Sequence, residues 1–305
     1  MKSKFSRIVI PTDFSDTAEM ALRLGSEVGS FYKSTLDVVN VVDATVYAYA
    51  GYPFASLSKE LMAGAEESLN KLKLPSQAQG LQVSRYILSG TPSREIVDHA
   101  QRHNADLICI GTHGAGAVVR FFLGSVADKV LHEAKCPVLV TKKPKGEVKH
   151  TKKRAKPFTR ILFPTDFSDT ANKALERAIA LTEDFDAELF VLHIVDDSLI
   201  STHVPEERRI ILKELRNHAL EEMRKILPAE LLQYFDTMGA VKRGEPGKAI
   251  TSYAEAHNCD LIIMGSHGRT GLQRVLLGSV ADKVVRLAKC PVFIERADAG
   301  KLKKG

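Results

Sequence analysis

A chain of 305 residues is too long for one ordinary core and suits two domains of the commonest size, about 150 residues each. Hydrophobic residues at 44% and charged residues at 26% give the balance of a soluble globular protein, and exclude a disordered chain or a membrane-spanning one. The net charge of +6 gathers between Thr141 and Pro157, where Lys142, Lys143, Lys145, Lys149, Lys152, Lys153, Arg154 and Lys156 face the single acid Glu147, so the folded parts are not basic surfaces for nucleic acid.

In chain order, the first apolar run, Ile8 to Ile10, passes at once into Pro11-Thr12-Asp13. That leaves no signal-peptide core and predicts a cytoplasmic protein. Short β-branched runs predict strands at 7–10, 35–42, 82–88, 106–110 and 137–141. Segments of helical period between them predict helices at 16–31, 57–73, 93–103 and 125–134. Ser15 is suited to cap the first helix, and Gly90-Thr91-Pro92 places turn residues before the third. The basic stretch that follows contains Pro144, Gly146 and Pro157 and reads as a solvated linker over 143–157.

Beyond the linker the sequence begins again. RIVIPTDFSDTA from Arg7 recurs as RILFPTDFSDTA from Arg160, and GTHGAGAVVRFFLGSVADKV from Gly111 recurs as GSHGRTGLQRVLLGSVADKV from Gly265. Each copy closes with Ala-Lys-Cys-Pro-Val, at Cys136 and Cys290, and Ser168 repeats the cap of Ser15. Such self-similarity marks a duplicated domain. The predicted organisation is domain 1 over 1–142, the linker, domain 2 over 158–297 and a basic tail at 298–305. Strands alternating with helices predict an α/β fold, two tandem doubly wound five-stranded parallel sheets of Rossmann-like form.

In such sheets ligands bind beyond the carboxyl ends of the strands. There the strand 106–110 runs into Gly111-Thr112-His113-Gly114, and Gly124, Ser125 and Val126 open the next helix. Glycines admit a phosphate close to the backbone, a helix start offers free N–H donors, and Ser125 adds a hydroxyl at the cap. The second copy has Met264, Gly265, Ser266, His267, Gly268, Arg269, Gly278, Ser279 and Val280 in the same pattern. Glycines after strands also serve plain turns, so the phosphate reading needs a nucleoside site nearby. Pro11, Thr12 and Asp13 at the end of strand one and Val41 at the end of strand two supply one, repeated by Pro164, Thr165, Asp166 and Ile194.

PTDFSD, G-x2-G-x9-G-S and the closing CPV strand together resemble the universal stress protein family, and in particular its ATP-binding branch. The resemblance implies a universal-stress-protein type of Rossmann-like fold. It places adenine and ribose at Pro11, Asp13 and Val41, ribose and phosphates at Gly111 and Gly114, and the phosphate tail at Gly124, Ser125 and Val126, with the matching residues in the second copy. Ala115 stands where the second copy has the basic Arg269, so the two sites are expected to differ.

The implied role is a cytoplasmic stress-response or regulatory protein that binds ATP, with Mg2+ as an optional companion. A slow ATP hydrolase and a nucleotide-free scaffold are the alternatives. Gly244-Glu245-Pro246-Gly247-Lys248 lacks the spacing of a phosphate-binding P-loop and reads as a helix start. His113 and His267 lie inside the glycine loops, where they meet the ligand or hold the loop by local hydrogen bonds. No nucleophile with an adjacent base and no zinc-like spacing is evident, and Cys109, Cys136, Cys259 and Cys290 read as buried free thiols. The last strand of each copy, Val138 to Thr141 and Val292 to Glu295, is expected at a sheet edge, free to pair the copies as an intrachain pseudo-dimer, with a homodimer of the whole chain also open.

Overall fold

A computed structural model describes residues 5–43, 54–112, 123–141, 156–200, 204–268 and 277–296. They form two compact units, an amino-terminal one up to Pro157 and a carboxy-terminal one from Phe158 onward.

The amino-terminal unit runs β1 (Arg7–Pro11), α1 (Asp16–Tyr32), β2 (Thr35–Val42), α2 (Phe54–Lys71), β3 (Val83–Ser89), α3 (Pro92–Arg102), β4 (Leu107–Gly111), α4 (Ser125–Glu133) and β5 (Val138–Thr141). Its strands pair in parallel in the order β3-β2-β1-β4-β5. The carboxy-terminal unit runs β6 (Arg160–Thr165), α5 (Asp169–Phe185), β7 (Glu188–Val195), α6 (Pro205–Ile226), β8 (Gly239–Arg243), α7 (Pro246–Ala256), β9 (Leu261–Gly265), α8 (Ser279–Leu287) and β10 (Val292–Glu295). It repeats the order as β8-β7-β6-β9-β10, again parallel. Each unit is thus the doubly wound five-stranded sheet that the sequence predicts.

The strands read as continuous apolar runs because a parallel sheet is covered on both faces. Ile8, Val9 and Ile10 of β1, and Ile161, Leu162 and Phe163 of β6, are wholly buried. Each such side chain contributes about 1.5–3 kcal/mol relative to an exposed one. Ser15 and Ser168 cap α1 and α5 by accepting the N–H of Ala18 and Ala171. Just before each cap, Phe14 (φ 63°) and Phe167 (φ 64°) adopt the left-handed conformation, a strained state for an aromatic residue that the loop must enforce. Thr12 Oγ1 and Thr165 Oγ1 do so by accepting the phenylalanine N–H at 3.1 and 3.0 Å.

Two features depart from expectation. Single helical turns at Ala229–Leu232 and Phe235–Met238 precede β8, too short to show a 3.6-residue period. Cys109, in β4, and Cys259, just before β9, are buried, whereas Cys136 and Cys290, in the turns that lead into β5 and β10, are partly exposed. Gly244 to Lys248 does open a helix, α7, with Glu245 as the cap accepting from the N–H groups of Gly247 and Lys248. Among the described residues no helix is long and apolar enough to cross a membrane. Residues 142–155 of the basic stretch and 297–305 of the tail lie outside the described residues.

Candidate nucleotide site

In each sheet the order reverses between the first strand and the fourth, β1 and β4 or β6 and β9, so the connections leave to opposite faces and a crevice opens at the strands' carboxyl ends. In the amino-terminal unit a cavity of about 250 Å³ occupies this place. Pro11, Thr12 and Asp13 line it from β1, Val41 from β2, Gly111 and Thr112 from β4, and Gly124, Ser125 and Val126 from the start of α4. All the amino-terminal site residues named from the sequence that fall within the described residues meet here. His113 and Gly114 lie outside them.

Backbone and side-chain bonds fix the cavity's walls. The Thr12 N–H donates to the Val39 carbonyl at 2.8 Å, and Asn40 Nδ2 donates to the Thr12 carbonyl at 2.7 Å. Asp13 Oδ1 accepts from the N–H and hydroxyl of Ser15 at 3.1 and 2.6 Å, which ties the carboxylate to the turn. The Gly124 N–H donates to the Thr112 carbonyl at 2.6 Å and anchors the start of α4 to the end of β4. The expected serine cap is shifted by one residue. Gly124 itself is the N-cap, with no side-chain bond, and Ser125 is the first helical residue. The first turn of α4 therefore lines the cavity with leading N–H groups that have no intrahelical acceptor and carry the positive end of the dipole.

The carboxy-terminal unit rebuilds the same frame. Pro164 and Thr165 end β6, Ile194 stands next to last in β7, Met264 and Gly265 end β9, and Gly278, Ser279 and Val280 open α8. Asp166 Oδ1 accepts the Ser168 N–H at 3.1 Å, the Gly278 N–H donates to the Ser266 carbonyl at 2.8 Å, and the Ser266 hydroxyl lies 2.9 Å from His267 Nδ1. His267 thus has the local bond expected of a loop-holding histidine. Arg269 lies outside the described residues.

The glycines separate by cause. A Cβ on Gly111 would fall 2.7 Å from the Thr17 backbone, and one on Gly265 would fall 2.9 Å from the Thr170 backbone. These two are glycine because the strand end presses on the first turn of α1 or α5, a packing need that the phosphate argument overlooked. Gly268 is bare because Asp166 Oδ2 would lie 2.5 Å from its Cβ. Gly278 differs: its φ is −62° and its nearest neighbour would be an ordinary 3.4 Å away. Neither packing nor backbone conformation demands a glycine there, since a Cβ would meet only ordinary contacts with the backbone of Ser266, His267 and Gly268 at the start of α8.

One pair of residues escaped the sequence reading. Asn40, next to Val41, has His193 as its counterpart, and His193 Nδ1 lies 2.9 Å from the Thr165 carbonyl just as Asn40 holds Thr12. The His193 ring stacks on Phe167 with centroids 4.7 Å apart. The available signal was a polar residue at the matching place, second before the last residue, in two strands whose carboxyl halves are otherwise apolar. No activated nucleophile adjoins the cavity among the described residues: Cys109, in β4, donates to the Ala21 carbonyl at 3.3 Å, and burial pushes its thiol far up.

Sequence comparison matches the Universal stress protein family at residues 4–142 and again at 157–296. A universal stress protein of Methanocaldococcus jannaschii is 37% identical over 147 residues, covering 47% of this chain and 85% of its own. One of Mycolicibacterium smegmatis is 26% identical over 307 residues, covering 95% of this chain and 96% of its own. Among solved structures, a universal stress protein from Archaeoglobus fulgidus superposes with a TM-score of 0.70 at 25% identity, covering 97% of each chain. With both compact units matched and a relative aligned over nearly the whole of both chains, the chain belongs to the universal stress protein family as a tandem, two-domain member.

Proposed function

We propose that this protein binds ATP at the carboxyl edge of each sheet and acts as a cytoplasmic stress-response regulator whose interactions change with occupancy. The observation that carries the reading is the cavity of about 250 Å³ at the β1/β4 switch point, lined by the Asp13 carboxylate, by Gly111 and Gly124 and by a helix start. In this reading the backbone of Val41 or Ile194 meets the base edge, and Asp13 or Asp166 accepts from the ribose hydroxyls. The first turn of α4 or α8, with the serine hydroxyl, receives the phosphates. The phosphate tail itself would recruit Mg2+, which holds oxygen ligands and keeps several waters.

The same proposal divides the chain at 1–142, 143–157, 158–297 and 298–305, and assigns β5 and β10 to pair the two domains. Cysteines placed at Leu139 and Phe293 in a background without the native ones test that pairing by intrachain disulfide formation.

The function is tested by denaturing freshly purified protein and identifying released small molecules by mass spectrometry. Adenine nucleotide at one or two equivalents supports the reading. A protein that carries none and takes up none from added ATP contradicts it.

A further inference from the structure

The amino-terminal unit holds a second cluster at the opposite edge of its sheet. Asp37, the third residue of β2, is wholly buried, and so in effect is His99 of α3, 1% exposed. His103 follows one turn later and is part-buried, and the donor atoms of the three side chains lie within 4.8 Å of one another. His99 Nε2 stands 3.2 Å from Asp37 Oδ2, and the His99 and His103 rings stack with centroids 4.1 Å apart. Arg7 Nη1 donates to both Asp37 oxygens at 2.7 and 2.9 Å.

We propose that Asp37, His99 and His103 form a binding site for one divalent transition-metal ion of the zinc class. Bonds of about 2.0–2.2 Å to nitrogen and oxygen set a tetrahedral donor-to-donor edge of about 3.4 Å. The Asp37–His99 separation of 3.2 Å is within a few tenths of an ångström of that edge, and His103, on the exposed side, closes the third corner by side-chain rotation. Two imidazoles four residues apart, one in the last turn of α3 and one at its C-cap, with a carboxylate suit zinc-class ions and not Mg2+ or Ca2+, which take oxygen donors. Three protein donors leave a fourth position for water. Arg7 orients the carboxylate from behind, the role that outer hydrogen-bond partners have at metal sites. Asp37 lies four residues before Val41 in β2, about 13 Å away along the strand, so this site is separate from the nucleotide cavity.

The duplicate unit supplies the second argument. At the matching positions it keeps Arg160 and His257 but has Phe190 for Asp37 and Tyr253 for His99. There Tyr253 stacks on His257 at 3.8 Å and the Arg160 guanidinium lies 5.9 Å from the Phe190 centroid. The same fold is therefore completed by aromatic packing. A buried ionic group is often no more stable than the apolar residues that replace it, so packing alone does not account for the Asp-His pair.

The test uses full-length, untagged protein stripped with chelator. Titration with Zn2+ should show one tight equivalent that raises Tm, and Co2+ should give the visible bands of nitrogen and oxygen ligation without thiolate charge transfer. His103→Ala, at the end of α3, should weaken Zn2+ binding at least about tenfold, and D37F with H99Y, which copies the duplicate unit, should abolish it, both with ATP affinity unchanged. If the double variant does not fold, His103→Gln serves in its place. Absence of a tight equivalent, thiolate bands with Co2+, or a Zn2+ affinity unaltered by removing His103 would overturn the proposal and leave an ion-paired histidine cluster only.

Discussion

Asp166 and Gly268 are in such close register that a Cβ on Gly268 would sit 2.5 Å from Asp166 Oδ2. The end of β6 and the loop after β9 are therefore fitted to each other through a carboxylate and a missing side chain. Gly268→Ala should turn the Asp166 side chain away and weaken ATP binding at the second site with little loss of stability, because the obstructing atom is the tip of a side chain. Gly265→Ala meets rigid backbone and should destabilise the carboxy-terminal unit by about 1–3 kcal/mol. Urea denaturation beside calorimetric titration separates the two effects.

Gly278 offers the complementary experiment. Since a Cβ there meets only ordinary contacts, Gly278→Ala should cost no more than about 0.5–1 kcal/mol, the usual preference at a helix N-cap. Gly278→Glu with Ser279→Glu should keep the fold and remove binding at that site, as side chain and charge fill the phosphate seat. Loss of folding in the alanine variant, seen by circular dichroism, would show that the glycine is structural.

The two sites should differ in affinity. Arg269 follows Gly268, whereas Ala115 follows Gly114, and a charge-assisted hydrogen bond is worth about 1.5–3 kcal/mol, or roughly ten- to a hundredfold. Arg269→Ala should bring the two dissociation constants together in a two-site titration. Equal affinities in the unaltered protein would refute that role.

The thiols predict an alkaline response. Burial raises Cys259 from 9.0 to about 11, and burial likewise raises Cys109. Between those values the unfolded chain loses the Cys259 proton while the folded one keeps it, so the folded state binds more protons and stability falls as pH rises. Cys259 accounts for about 2–3 kcal/mol of that decline, which levels off only above about pH 11. Cys259→Ala should flatten the slope of unfolding free energy between about pH 9 and 11. At pH 8 an alkylating reagent should modify the partly exposed Cys136 and Cys290 well before Cys109 and Cys259.

Much of this was legible in the sequence because duplication printed every signal twice. The PTDFSD turns, the serine caps and the helix at Gly244 to Lys248 follow from local chemistry, and the doubly wound parallel sheets follow from the alternation of elements. Contacts between distant segments were not legible. Nothing local says that Gly111 is shaped by Thr17, that Asn40 and His193 hold the carbonyl after the first strand, or that Asp37 meets His99 and His103. Such pairs exist only once β1, β2 and β4 lie side by side.

The central claim is tested most directly by titrating nucleotide-free protein with ATP and Mg2+ in a calorimeter, beside the Gly278→Glu, Ser279→Glu double variant. The account predicts two sites of unequal affinity in the unaltered chain and loss of the tighter one in the variant. No binding heat, or the same tight site in the variant, would contradict it.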